Sequence, residues 1–334
     1  MVKMLFITFG RQSLQVVLIF VISSSLICIS SVKCMAEILA QDAFQLKMLN
    51  TNELLSSAGK SILLKSMYEE GQINVKEFDC GNPCRNITLL VMVISSVEHT
   101  RNRMVIRLTW GHWTLRKDVM VVFVVGRSSN DSVQLEIKKE QYLYQDVIQG
   151  YFVDAYNNLT LKTVFMLEWI TVKCPNATFV LKTDDDVFIN IPRLLKYLVD
   201  QNFTERAIYG KIAKYWKPSR DQRSKHYVSF PEFNGTIYPE FTTGPAYVFP
   251  AFLSQELFQA SLTHTFFKLE DIFLTGFVAQ NLGIKLVNWP EFFNMRLSKL
   301  VPCKLQQLIS IHEVFEKRQF EAWLKVNDMY VKCN

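Results

Sequence analysis

Three consecutive carboxylates, Asp184, Asp185 and Asp186, interrupt an apolar stretch in TFVLKTDDDVFINIPRL, residues 178–194. Each added like charge raises the cost of ionising its neighbours, and a solvated turn has no use for three. Alternate carboxylates such as Asp184 and Asp186 can face one point at the end of a strand. Hard oxygen ligands of this kind suit Mg2+, Mn2+ or Ca2+. The plainer alternative is an acidic turn capping a helix that starts near Ile191, where negative charge suits the helix dipole. Other ion and nucleotide signatures are missing: the EF-hand's Gly and Glu, the P-loop and the G-x-G-x-x-G fingerprint. A divalent ion bridging a nucleotide diphosphate is the leading expectation.

Other residues could join this chemistry. Glu270 and Asp271, in LEDIF, offer a base for an attacking hydroxyl, or a cap for the helical stretch IFLTGFVAQNL. Arg103 and Arg107 lie four apart and share a helix face, where they can meet a diphosphate or make surface ion pairs. Lys182 either contacts the same ligand or reaches solvent from a strand end. His312, in LISIHEVF, is either structural or an imidazole in a metal shell, which would favour Mn2+ over Ca2+. Gly244, in TTGPAYV, leaves room for the close approach of a ligand. The Cys80-x-x-x-Cys84 spacing hints at zinc, but no second pair or His cluster follows it.

The elements that must hold these groups read as alternating strands and helices. TLLVMVISS, VMVVFVVG and ATFVLKT are continuous apolar runs of the buried-strand kind. SVQLEIKKEQYLY, NNLTLKTVFMLEWITVKC and IPRLLKYLVD read as helices, the last with Pro192 in its first turn. Such alternation predicts an α/β fold with a mostly parallel sheet covered on both faces. The acids then sit at the carboxyl end of a strand, where open α/β sheets bind ligands. With 49% hydrophobic residues, the 334-residue chain can bury a large core. Its net charge of +6 is mild and spread out, so no nucleic-acid partner is indicated.

Leu14 to Val32 carries no charge and is just long enough to cross a bilayer; Lys3 and Arg11 precede it. The expected layout is a cytoplasmic tail (1–13), a retained single-pass anchor (14–32), a stem (33–79) and a lumenal domain (80–334). A cleaved signal peptide is the competing reading of the span. Six N-x-S/T sequons, at Asn86, Asn130, Asn158, Asn176, Asn202 and Asn234, agree with a lumenal domain. Cys303 and Cys333 flank the segment that carries His312 and are expected to pair.

RNRMVIRLTWG, DAYNNLTLKT, CPNATFVLKTDDDVFIN, HYVSFPEF with YPEFTTGPAYV, and LEDIFLTG follow one another in this order. Together they resemble the β-1,3-galactosyltransferase family of Golgi enzymes, which includes β-1,3-N-acetylglucosaminyltransferases. The resemblance covers nearly all of the predicted lumenal domain. It implies a GT-A-type fold, a type II Golgi membrane location, a UDP-sugar donor, Mn2+ and inversion at the anomeric carbon. The expected acceptor is a glycan on a glycoprotein or glycolipid. By resemblance, Asp184 and Asp186 hold the metal with His312, and Asp184, Asp185, Lys182, Arg103 and Arg107 meet the donor. Asp271 is the base with Glu270 beside it, and Gly244 lines the sugar pocket. Pro245 departs from the family pattern, which usually has a second small residue there. UDP-galactose is the expected donor. UDP-GlcNAc transfer and an inactive lumenal sugar-binding protein are the alternatives, and a Ca2+-binding lumenal domain is a third.

Overall fold

The structure, a computed structural model, describes residues 62–68, 84, 86–199 and 205–333. The expected anchor at 14–32 lies outside the described residues. Among those described, no helix is long and apolar enough to cross a membrane.

The first half alternates as the sequence predicts: β1 (Leu89–Ile94), α1 (Thr100–Leu108), β2 (Val119–Arg127), α2 (Asp131–Tyr144), β3 (Val147–Val153), α3 (Leu159–Lys173) and β4 (Phe179–Asp184). Next come β5 (Phe188–Ile189), α4 (Ile191–Val199), β6 (Ala207–Ala213), β7 (Phe241–Pro250) and α5 (Ser254–Thr263). A π-helix, Ile272–Val278, runs into the single turn α6 (Ala279–Asn281). The chain then passes through β8 (Lys285–Asn288), α7 (Pro302–Gln307), β9 (Ser310–Ile311) and α8 (Glu316–Val326).

Seven strands form one sheet in the order β3-β2-β1-β4-β7-β6-β8. Only β7 runs antiparallel to its neighbours. The apolar runs are continuous because both faces are covered. In β1, Leu90, Met92 and Ile94 enter one core with α3 and α5, while Leu89, Val91 and Val93 enter the other with α1, α2 and α4. The expected mostly parallel sheet with helices on both faces is what the chain forms.

Two expectations need adjustment. The expected stem ends too late, because Leu64, Met67 and Tyr68 are buried in the first core. The Leu64 N–H donates to His264 O, the Phe266 N–H to Ile62 O and the Tyr68 hydroxyl to Glu168, so the folded domain includes residues before 80. The stretch after Asp271 also winds as a π-helix rather than an ordinary α-helix. Cys303 and Cys333 are bonded as expected. Cys84 is bonded to Cys174, which ties the approach to β1 to the end of α3.

A second sheet has only two residues in each strand, with Phe188 opposite Ile311. It brings the segment after β9 alongside the segment after β4, and the Val314 N–H donates to Asp186 O at 2.8 Å.

The fold separates the sequons. Asn130, Asn176 and Asn234 are exposed, whereas Asn158 is 2% exposed and its amide donates to Val153 O at 2.8 Å. A glycan on that buried nitrogen has no room. In protein made through a secretory pathway, peptide mapping after enzymatic deglycosylation should find Asn158 unmodified. A glycan at Asn158 would contradict this placement.

Candidate active site

The end of β4 opens into a cleft of about 760 Å³ that also receives β1, the start of β7 and the turn before the π-helix. The three aspartates there point to three different partners. Asp184 Oδ1 accepts from the Lys182 ammonium at 2.7 Å. Asp185 accepts from Ser95 Oγ at 2.7 Å and Asn102 Nδ2 at 3.3 Å, and lies 2.9 Å from His99 Nδ1. Asp186 Oδ2 lies 3.4 Å from His312 Nε2.

Lys182 does not reach solvent. It is 2% exposed, and its ammonium also donates to Gly244 O at 2.7 Å and sits 2.7 Å from Glu270 Oε1. Burial disfavours its charge, but Asp184 and Glu270 outweigh that and hold it above the ordinary lysine range. Burial also pushes Asp184 up to about 6 against the pull of Lys182. Asp185 is held below the ordinary range. Burial opposes this, and the contacts with His99, Ser95 and Asn102 prevail.

Glu270 and Asp271 lie directly before the π-helix. Glu270 Oε2 accepts from Thr163 Oγ1 at 3.2 Å and from the Tyr247 hydroxyl at 3.3 Å. Asp271 accepts from the Gly244 N–H at 3.0 Å and caps the π-helix through the Ile272 N–H at 2.9 Å. Burial, and then the adjacent Glu270 charge, raise Asp271 to about 7. Thr275 Oγ1 accepts from the Thr242 N–H at 2.9 Å, which fastens the helix to β7.

Gly244 is central, though in a different way from the one expected. A Cβ on it would stand 3.2 Å from Asp271 Oδ2 and 3.3 Å from Glu270 Oε1. The missing side chain makes room for the two carboxylates. Its N–H bonds Asp271 and its C=O bonds Lys182, so one residue touches both halves of the site.

The arginines do not enter the cleft. Arg103 is fully buried and grips Glu140 through two bonds of 2.7 and 2.8 Å, and it also donates to Ser95 Oγ at 3.0 Å. Arg107 donates to Glu140 and Asp146 and packs over the Phe123 and Tyr144 rings. The expectation that they meet a donor directly finds no support here, because neither lines the cleft and Arg103, like Nε and Nη2 of Arg107, is engaged within the protein. Arg103 reaches the site through Ser95, which holds Asp185, and through the Ser96 carbonyl. Asp185 is likewise a tether to α1 rather than an open ligand.

Some cleft residues went unassigned by the sequence reading. Asp154 accepts from the Gly126 N–H at 2.7 Å and pairs with buried Lys162 at 2.9 Å. Tyr156 lines the cleft, its hydroxyl raised to about 12 by burial and then by Asp271. Both lie around the quoted motif DAYNNLTLKT, which gave the signal without the roles.

No group of three or more His, Cys, Asp or Glu side chains forms a ready metal site among the described residues. Asp186 and His312 nonetheless supply a carboxylate oxygen and an imidazole nitrogen at one point, a donor set that fits Mn2+. The shell would be completed from outside the protein, as a diphosphate can do.

These contacts make two predictions. Gly244→Ala should fold, because the clash is with side-chain atoms at a cleft edge, but should lose most turnover by displacing Asp271. Circular dichroism and steady-state rates check this, and wild-type turnover would refute it. Arg103→Lys should destabilise the domain by about 3–5 kcal/mol by breaking a buried bidentate pair. Denaturant unfolding measures that. A raised donor KM at unchanged stability would instead place Arg103 in the donor site.

Residues 101–290 match the family model described as Galactosyltransferase. Beta-1,3-galactosyltransferase 5 of Homo sapiens is 34% identical over 240 residues, covering 70% of this chain and 77% of that protein. UDP-GlcNAc:betaGal beta-1,3-N-acetylglucosaminyltransferase 7 of Rattus norvegicus is 30% identical over 254 residues, covering 71% and 64%. Lactosylceramide 1,3-N-acetyl-beta-D-glucosaminyltransferase of Homo sapiens is 30% identical over 259 residues, covering 74% and 68%. Among solved structures, a galactosyltransferase in complex with donor and acceptor sugar analogs aligns over 73% of this chain and 97% of that one. At 8% identity and a TM-score of 0.38, that likeness carries no argument. With more than half of its length matched by the family model, the chain belongs to the galactosyltransferase family.

Proposed function

We propose that the protein is an inverting β-1,3-glycosyltransferase. It moves galactose from UDP-galactose to the 3-hydroxyl of an acceptor sugar on a glycoprotein or glycolipid. The supporting observation is the placing of Asp271 in the cleft it shares with Asp184 and Asp186. It is held by two backbone N–H groups and raised to about 7. A base at that poise suits proton removal near neutral pH. The acceptor hydroxyl gives its proton to Asp271 as its oxygen bonds to the anomeric carbon. The bond from that carbon to the UDP oxygen breaks, and UDP leaves with the electron pair. One displacement inverts the centre and needs no covalent intermediate on the protein. Glu270 keeps Lys182, Thr163 and Tyr247 in place around the base. A divalent ion held by Asp186 and His312, Mn2+ by the family resemblance, would supply positive charge to the departing diphosphate.

A second reading, UDP-GlcNAc as donor, is supported by the two relatives named for that transfer, at 30% identity. The anomeric chemistry is the same for both sugars. Leu14 to Val32 would anchor the chain as a type II Golgi membrane protein, and the two disulfides fit an oxidising lumen.

A panel of both donors crossed with simple glycoside acceptors tests the function, with the linkage read by NMR. Asp271→Asn should lower transfer on the order of 10²–10⁴-fold, the usual contribution of a general base, and leave UDP binding intact. Glu270→Gln should cost less. Near wild-type transfer by Asp271→Asn would place the base elsewhere. Without transfer, a thermal shift with UDP and Mn2+ together would mark an inactive nucleotide-binding protein.

The pH dependence has a definite sign. Protonated Asp271 cannot accept a proton, so kcat/KM for the acceptor should climb with pH to a half-maximum near 7. Folding responds the other way. The folded carboxyl keeps its proton above its ordinary pKa of 3.8, so stability from this group is lost as pH rises through about 7. An acceptor profile flat from pH 5 to 8 would exclude Asp271 as the base.

A further inference from the structure

Five lysines line the cleft: Lys162, Lys182, Lys217, Lys225 and Lys268. Lys162 pairs with Asp154 at 2.9 Å, Lys182 with Asp184 and Glu270 at 2.7 Å, and Lys268 with Glu232 at 3.1 Å. Lys217 and Lys225 make no ion pair among the described residues. The other lysine and arginine side chains of the loop that carries them, 214–240 between β6 and β7, are engaged within the protein. Lys214 pairs with Glu240 at 2.8 Å and Arg223 with Asp221 at 3.0 Å. Arg220 donates to Val228 O and Phe233 O and stacks on Phe230, which braces the loop from within.

A backbone bridge joins the two segments that carry these lysines. Ser219 and Tyr227 form a parallel bridge, and the Val228 N–H donates to Ser219 O at 2.9 Å. Lys217 and Lys225 each stand two residues before a bridge partner, and both line the cleft. Two cations that line one cleft without a carboxylate partner attract an anion to it. Trp216, next to Lys217, is 56% exposed, edge-on to Phe241 at 5.7 Å, and fixed by the Tyr238 N–H bonding its carbonyl. An indole braced on one side and open on another is a platform for a sugar ring.

This corner lies toward the base. The Lys225 ammonium sits 5.9 Å from the centre of the Tyr156 ring, and the Tyr156 hydroxyl is 3.1 Å from His226 Nδ1. Among the carboxylates that raise Tyr156, Asp271 acts most strongly.

We propose that Trp216, Lys217 and Lys225 form an acceptor subsite for an anionic glycan, one with a carboxylate or sulfate on or beside the sugar that is glycosylated. The proposal rests on the transferase reading above and names its acceptor class. Ammonium groups facing an oxyanion give charge-assisted hydrogen bonds, and the indole takes the ring face.

The test uses the full-length protein in detergent with matched acceptor glycosides: neutral, uronate-bearing, sialylated and sulfated. Wild type should prefer the anionic acceptors in kcat/KM on the order of tenfold, as two half-solvated ion pairs supply, and lose the preference in high salt. The uronate, sialate and sulfate arms show which oxyanion fits. Lys217→Gln with Lys225→Gln should bring the ratio near one with donor KM unchanged, and the paired Lys→Arg variant should restore it. Equal use of neutral and anionic acceptors by wild type would overturn the proposal. So would a variant that raises donor KM and leaves the ratio alone, which would assign the lysines to the diphosphate. If nothing is transferred, the transferase reading fails by itself. Binding to the same glycans on an array then decides the subsite: salt-sensitive retention of anionic members, lost in the Gln variant, upholds it, and equal retention overturns it.

Discussion

An ammonium taken out of water is costly unless opposite charge and hydrogen bonds meet it in place. Lys182 is such a group, and most of the site is arranged around it. Asp184, Glu270 and the Gly244 carbonyl all lie 2.7 Å from its nitrogen. These three come from β4, from the turn before the π-helix, and from β7. The register of β4 against β7, with Lys182 opposite Tyr247, sets the distance between them. Without the lysine, two acids would face each other in a poorly solvated cleft, and both would resist ionisation. With it, the strand end, the antiparallel strand and the turn that carries Glu270 and Asp271 are held as one unit.

A second network holds the outer side of the same strand end. Glu140 of α2 binds both Arg103 and Arg107 of α1, Arg103 reaches Ser95, and Ser95 holds Asp185. Burial penalises Glu140, and the two guanidinium groups still keep it below the ordinary range. Helix packing on one face of the sheet is thereby linked to the direction in which the central aspartate points. The site is supported from both sides by buried ion pairs, which are strongly destabilising to break singly.

The parts legible in the sequence were those with local signals. A strand running into DDD, the Glu270–Asp271 pair and the glycine of TTGPAYV each sit within a few residues of their own context, and all meet in the cleft. The apolar runs gave β1, β2 and β4 because period and composition are properties of a single segment. Arg103 and Arg107 were misplaced for the opposite reason. Their partner Glu140 lies more than thirty residues away, and nothing in RNRMVIR shows that a carboxylate will arrive there. The same holds for the Cys84–Cys174 bond and for the antiparallel insertion of β7, both fixed by long-range pairing. The role of Gly244 was half legible: its lack of a side chain was read as room for a ligand, whereas the room is filled by the protein's own acids.

The two-residue pairing of β5 with β9 has a consequence in time. His312 stands 126 positions after Asp186, and a disulfide from Cys303 to Cys333 closes the segment that carries it. A chain emerging from the ribosome can assemble the sheet, the acidic strand end and the turn with Glu270 and Asp271 before residue 312 has appeared. It cannot bring the imidazole to Asp186 until that residue has emerged. The cleft is thus completed late, and a chain terminated before residue 312 could look folded while lacking the imidazole beside Asp186.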